Sequence, residues 1–542
     1  MTRHLASFRW ICSGWSLLAS LALFAGCAGP VVTSRTTPLS EAVVCADWYD
    51  KLDAVTRQTG VSDGGAHRLP GYPFLRSDRF LASFGDEVAD NTAAFDAWVG
   101  RLAELDRDAR VAELRNLPLQ FLPDLMTGGA ANKQRIQATT QACAGQTVQA
   151  LLQSAPIASA PGRRLLAAQA QVADDYSAGK RALGLYPLTR VPFFAGVQRW
   201  QQSTAEKFAA QAPPQATPVK RYTRAGEAVP AAQIAEAYAR RNPDALGVPR
   251  LSQPDAALLL RAYAPDLHIE TRGSYDRFGA LQWGADSTLP DAFDALPPGS
   301  AQAPSVLTDQ PVMYQRLATT RYQGQTLLQL VYSVWFPERP RASGIDLLSG
   351  QLDSVVLRLT LAPDGTPWLY DSIHSCGCYH LFFPTPRAKA LASPSAGAAS
   401  ASASAPEPLE WAFVPATLPA LKPGQRMTLH LESRTHYVKG LRPVEAPADS
   451  SPIPYALLDD AALRTLPVSG ALSGITRSAF WPSGIVPGTE RGERLLFWPM
   501  GIASPGAMRQ WGRQPTAFVG RRHFDDARLM ELRFELDAGR SN

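Results

Sequence analysis

The chain is predicted to be α+β, with a helical N-terminal region followed by a largely antiparallel, β-rich body. Three observations predict this. Apolar residues recur at helical spacing through residues 40–210. From about residue 327 the text turns to β-branched and aromatic runs bounded by turn residues. Between the two lies a Pro-rich connector, QAPPQATPVKRY (211–222).

Taken in order, residues 27–39 read as a tether of small residues, Thr and Pro. Ser40 is a helix N-cap, and Val44, Trp48, Leu52 and Val55 follow at helical spacing as far as Gly60. Phe95, Trp98, Leu102 and Leu105 define a second helix, Ile136 to Leu152 a third, and Arg163 to about Tyr176 a fourth. The segment RLPGYPFLRSDRFLASF (68–84) is punctuated by Pro and Gly and is expected to be a structured loop. Two short helices, near 231–241 and 252–264, precede strands at 327–336, 353–365 and 366–383. The last two are joined by Pro363-Asp364-Gly365, in which Pro sets φ and Gly accepts a positive one, so they form a hairpin.

Residues 220–388 thus form an α+β domain, and 389–408, Ala/Ser/Pro-rich and almost devoid of packing residues, a linker or insertion. Residues 409–542 form a β-rich region, either separate or part of the same sheet, with strands expected at 411–418, 426–438, 494–502, 516–524 and 529–536. No internal repeat is evident.

Composition narrows the function. The chain of 542 residues has room for two to four domains; 45% hydrophobic and 19% charged residues suit a buried core and exclude general disorder. Six cysteines are too few for a disulfide scaffold. The formal charge is +5, and no eight-residue window holds five Lys/Arg, so no nucleic-acid partner is expected. The sequence contains no G-x-S-x-G, H-E-x-x-H, Walker A or G-x-G-x-x-G motif, which disfavours ordinary serine hydrolases, zincins, ATPases and dinucleotide enzymes.

The first 26 residues have a positive start at Arg3 and Arg9 and an uncharged apolar run from Trp10 to about Ala25, too short for a membrane span. The run ends in Leu23-Phe24-Ala25-Gly26-Cys27, which resembles the lipobox of bacterial lipoproteins, with Phe24 where Leu is usual. The resemblance implies cleavage before Cys27, acylation of its sulfur, and a membrane partner reached through that N-terminal lipid. Ala28 in place of Asp implies sorting to the outer membrane, facing the periplasm or the cell surface. Loss of residues 1–26 removes two arginines and no acid, leaving +3.

One constellation carries chemistry. His374, Cys376, Cys378 and His380 alternate, so an extended strand would point all four to one face. At ~3.3 Å per residue the outer histidines would lie about 20 Å apart, so a single ion could take all four only if the backbone bent, at Gly377. Thiolate and imidazole favour copper or zinc; a Cys-Gly-Cys redox pair, a nucleophilic thiol and plain buried cysteines are the other readings. Asp371 is placed to orient His374 from a second shell.

Cys45 and Cys143, each on an expected helix, are candidates to form a disulfide. Trp498, Arg509, Trp511 and Arg513 lie in Gly/Pro-rich text that suits envelope glycan or anionic groups, or simply a packed loop. Arg521-Arg522-His523 and Asp525-Asp526 read as a solvated, self-compensating patch. The expected function is a binding or structural outer-membrane lipoprotein with an envelope glycan or protein partner; the alternative is a metal-binding or thiol-redox enzyme using the 374–380 cluster.

Overall fold

In a computed structural model of the chain, residues 40–125, 132–210, 217–284, 303–393, 409–444, 452–470 and 474–537 are described. The expected signal, Cys27 and the tether lie outside them, as do residues 394–408 of the linker. Contacts group Ser40–Asn542 into one compact unit.

Helix α1 (Ser40–Gln58) buries Cys45, Trp48, Tyr49, Leu52 and Val55, a stripe of three- and four-residue steps, against Ile136 and Cys143. A disulfide joins Cys45 to Cys143, with their Cα atoms 5.3 Å apart. The segment expected to be a loop instead pairs as a hairpin, β1 (His67–Leu69) with β2 (Tyr72–Ser77). Its alternation is hidden because β2 carries a fully buried Arg76, which pairs with Asp106 and Glu113. Helix α2 (Thr92–Asn116) starts at Asn91, whose side chain accepts the Ala94 N–H at 3.1 Å, and α3 (Lys133–Leu152) at Asn132 in the same way. Helix α4 runs from Ala160 to Gln169, shorter than expected.

Two further helices follow, α5 (Ala178–Leu183) and α6 (Tyr186–Ala209). Helix α6 has no periodic apolar stripe to advertise it: it carries Pro187 and Pro192, and Tyr186 is its one buried residue.

The body is a ten-stranded sheet. Its strands are β3 (Val219–Arg224), β4 (Asp266–Glu270), β5 (Val312–Tyr322), β6 (Gln325–Arg339), β7 (Gly350–Leu361), β8 (Pro367–His374), β9 (Leu381–Pro384), β10 (Met427–Leu431), β11 (Val438–Pro443) and β12 (Ile453–Asp459). The order is β9-β8-β7-β6-β5-β12-β3-β4-β10-β11. Pairings are antiparallel except β5–β12, β12–β3 and β4–β10. Strands from 427–459 therefore join the same sheet as those before the linker. The β7–β8 hairpin turns where expected: Gly365 has φ 83° and donates its N–H to Ala362 O at 2.8 Å.

Helices α7 (Ala231–Ala239) and α8 (Gln253–Tyr263) pack on one face of the sheet, over Leu330, Tyr332, Leu357 and Leu359. The other face, with Val331, Val356 and Ile373, is covered by the C-terminal loops through Phe524. Residues 411–418 and 516–524, expected as strands, are irregular, and 494–502 contains the one-turn helix α9 (Arg494–Phe497). Their apolar residues reflect coverage: Val519 and Phe524 are buried as a lid over the sheet, without strand neighbours of their own. Among the described residues no helix is long and apolar enough to cross a membrane.

Candidate functional site: a cavity at the Cys-Gly-Cys turn

The 374–380 segment is not one extended strand. Strand β8 ends at His374, and the chain reverses through Ser375–Cys378. His374 donates its N–H to Cys378 O at 3.0 Å, and Gly377 donates to His374 O at 2.8 Å. Gly377 has φ 91°, and a Cβ there would lie 2.1 Å from Pro515 O, so both conformation and space demand glycine. Tyr379 also takes a left-handed φ, 61°.

This turn sends the two histidines to opposite faces of the sheet. His374 shares the helix-covered face with Asp353, its Nδ1 3.2 Å from Asp353 Oδ1. Asp353 Oδ2 accepts from His436 Nδ1 at 2.8 Å, and His436 lies flat on Phe336, centroids 3.8 Å apart. Burial opposes ionisation of Asp353, but the two histidines hold its carboxyl well below the usual range. On the opposite face His380 Nε2 donates to Asp371 Oδ2 at 2.8 Å, and Arg358 binds the same carboxylate at 2.9 and 2.6 Å. Burial pushes His380 down to about 3, despite Asp371, so its ring is neutral.

The expected role of Asp371 is therefore corrected: it holds His380 and Arg358, while Asp353 orients His374. The reason is parity, since residues three apart on a strand point to opposite faces. The four-ligand metal set is corrected on the same ground. His374, Cys376, Cys378 and His380 do not converge, and no group of three or more His, Cys, Asp or Glu among the described residues is placed to hold a metal. The residues thus do not fit copper or zinc as one cluster. The two thiols do meet. Cys378 donates its N–H to Cys376 Sγ at 3.4 Å, and a hydrogen bond between the thiols, with burial, raises the Cys378 thiol well above its usual value. As a thiol rather than a thiolate, Cys378 is a poor nucleophile.

The turn forms one wall of a cavity of about 380 Å³. Helix α6 roofs it with Phe193, Val197 and Trp200, while Trp411, Phe497 and Phe518 supply aromatic sides. Trp200 packs on Tyr379 at 5.4 Å and on Phe413 at 5.7 Å. A smaller recess of about 80 Å³ shares Trp200, Tyr379 and Tyr437 with it and is lined by His374 and Lys207. The Nε2 atom of His374 is buried and unpartnered among the described residues.

Two carboxylates line the larger cavity. Burial pushes Glu493 up to about 7, and Arg491 and Arg339 only partly offset it. No hydrogen-bond donor reaches its carboxylate among the described residues. Burial likewise pushes Glu410 up to about 7, although its side chain accepts the Phe518 N–H at 2.7 Å. Both stand half-protonated near neutrality, able to donate or accept.

Of the remaining expected residues, Trp498 is 39% exposed. Arg509 is buried and donates to the Ser504 carbonyl at 3.2 Å, Trp511 packs on Phe524 at 5.7 Å, and Arg513 pairs with Asp175 at 2.9 Å. These four do not make one ligand surface; three are committed to packing and pairing. The 521–526 stretch is solvated only in part: Arg521 is exposed, Asp525 and Asp526 are half-buried, and His523 pairs with Asp526 at 3.6 Å. Arg522 and His523 are buried, and Arg522 ties the 516–522 loop to Trp411 O at 3.0 Å.

Sequence reasoning missed Trp200, Glu410, Glu493, Asp353 and His436. The available signal was an acid next to apolar, aromatic text, LEWAF for Glu410 and GERLLFW for Glu493. The chain matches no known family, no characterised protein and no solved structure.

Proposed function

We propose that the protein is a lipid-anchored cell-envelope binding protein that takes a small amphipathic molecule into the cavity beneath α6. The observation that carries the reading is the pairing of aromatic walls with Glu493, a buried carboxylate with no direct donor among the described residues. A volume of about 380 Å³ falls within the range of small-molecule sites. The apolar part of the ligand packs on Trp200, Trp411 and Phe518, and its hydrogen-bond donors reach Glu493 and Glu410. Cys27, acylated once residues 1–26 are removed, supplies the anchor to the outer membrane in this reading.

The test is native mass spectrometry of the purified protein, followed by identification of any released molecule and its rebinding by calorimetry. Rebinding that weakens at least about tenfold in Trp200→Ala and in Glu493→Gln supports the reading; an unchanged affinity in both sinks it. Mass analysis of the Cys27 peptide tests the anchor separately.

A second reading makes Cys376 and Cys378 a thiol–disulfide couple, favoured by their mutual hydrogen bond on the cavity wall. Closing the pair releases two electrons and two protons to a partner disulfide, which becomes two thiols. Thiol titration before and after exposure to a glutathione redox buffer tests it; two thiols that never oxidise remove it.

A further inference from the structure

We infer that the exposed apolar face around the cavity mouth docks on an anionic lipid surface. The face is built from two stretches of chain. Leu183 ends α5, and Leu185, Leu188 and Val191 follow at the start of α6; the first is 80% exposed and Leu188 69%. Leu495, Leu496 and Trp498 of α9 and the turn after it lie beside them, with Leu495 70% exposed.

Contacts make this one surface. Gly184 sits so close to Pro499 that a Cβ would lie 2.5 Å from the proline Cβ, and Phe193 meets Phe497 at 5.2 Å. Phe193 and Phe497 also line the cavity, so the face continues into its mouth.

Leaving this many large apolar side chains in water marks a docking face. Charge selects the occupant. Residues 178–205 and 494–524 contain no Asp or Glu. Lys180, Arg199 and Arg494 flank the apolar side chains with no acidic partner among the described residues. An apolar face edged by cations and a Trp suits the headgroup boundary of an anionic bilayer. A second copy seated face to face would instead bring like charges together. The inference rests on the proposed lipid anchor only for delivery to the membrane; thirteen tether residues reach about 40 Å when extended.

The full-chain protein is reconstituted with vesicles of phosphatidylcholine, with or without phosphatidylglycerol, containing brominated acyl chains. Tryptophan quenching is read in wild type and in Trp498→Phe, the difference reporting Trp498. Quenching of Trp498 that is stronger with phosphatidylglycerol, and lost in Leu185→Glu/Leu188→Glu/Val191→Glu with an unchanged circular dichroism spectrum, supports the inference. Vesicle-bound protein whose Trp498 stays unquenched overturns it, as does a concentration-dependent dimer abolished by the same triple variant. An unacylated Cys27 with Trp498 still quenched removes the anchor and keeps this face; an acylated chain with Trp498 unquenched does the reverse.

Discussion

Two buried carboxylates in this molecule, Glu113 and Glu493, are shifted in opposite directions. Under the β1–β2 hairpin, Arg76 donates to Asp106 at 3.0 Å and to Glu113 at 2.8 Å, and Glu113 also accepts from Arg68 at 3.1 Å. Burial alone would raise Glu113, but Arg76, Arg110 and Arg68 pull it down to about 2. In the cavity beneath α6, no cation among the described residues hydrogen-bonds to Glu493; Arg491 and Arg339 only partly offset burial, which pushes it up to about 7. Burial is common to both, so it does not distinguish a site from a scaffold. The presence or absence of a committed cation does.

The scaffold side of that contrast should be the more costly to disturb. Cys143→Ser opens a loop spanning 98 residues, and the chain-entropy model gives a loss of roughly 4–5 kcal/mol. Urea unfolding measures it, and a loss below about 1 kcal/mol would show that the helical region does not depend on the bridge. Arg76→Leu leaves Asp106 and Glu113 under-compensated and should cost about 3–5 kcal/mol at neutral pH. Glu113 ionises more readily in the fold than in the unfolded chain. Its contribution is therefore complete above about pH 4.5 and fades as pH falls toward about 2. The Arg76→Leu defect should accordingly shrink in acid, and a defect constant with pH would mean that packing, not charge, is what Arg76 supplies.

The cavity side predicts the opposite sign. Glu493 keeps its proton in the fold up to about pH 7, whereas the unfolded chain releases it near 4.5. Wild type therefore loses stability as pH rises across that window. Glu493→Gln should be near neutral at pH 5 and stabilising by ~1–3 kcal/mol at pH 8, read as a melting shift that appears only at the higher pH. Destabilisation at pH 8 would reveal a partner for Glu493 and end the contrast. The smallest effect is expected at Leu188→Glu, within about 0.5 kcal/mol of wild-type stability, since the side chain is 69% exposed. A larger loss in thermal unfolding would place Leu188 in packing and weaken its assignment to a docking face.

The cluster at 374–380 illustrates how far the text could be read. Its four side chains and the bend at Gly377 were legible, and so were the hairpin at Pro363-Asp364-Gly365 and the helices of Trp48 and Trp98. The direction of each histidine was not, because it depends on where β8 stops. A strand continued through Cys376 would have kept one face; a turn after His374 gives two. Helix α6 escaped notice for a related reason. A roof that leaves most of its surface in water has no periodic apolar stripe to announce it, and Pro192 argues against a helix when neighbours are unknown.

Local chemistry was enough for the α+β class, helices α1, α2 and α3 and the β7–β8 turn, since each rests on residues within a few positions of one another. It also singled out the thiol pair and marked the lipobox resemblance at Cys27. The fold alone decided which partners meet: Asp353 rather than Asp371 for His374, Arg76 for Glu113, and, among the described residues, no donor for Glu493. Those outcomes depend on groups far apart in the chain, brought together by burial and strand register, and residue-to-residue spacing carries no record of them.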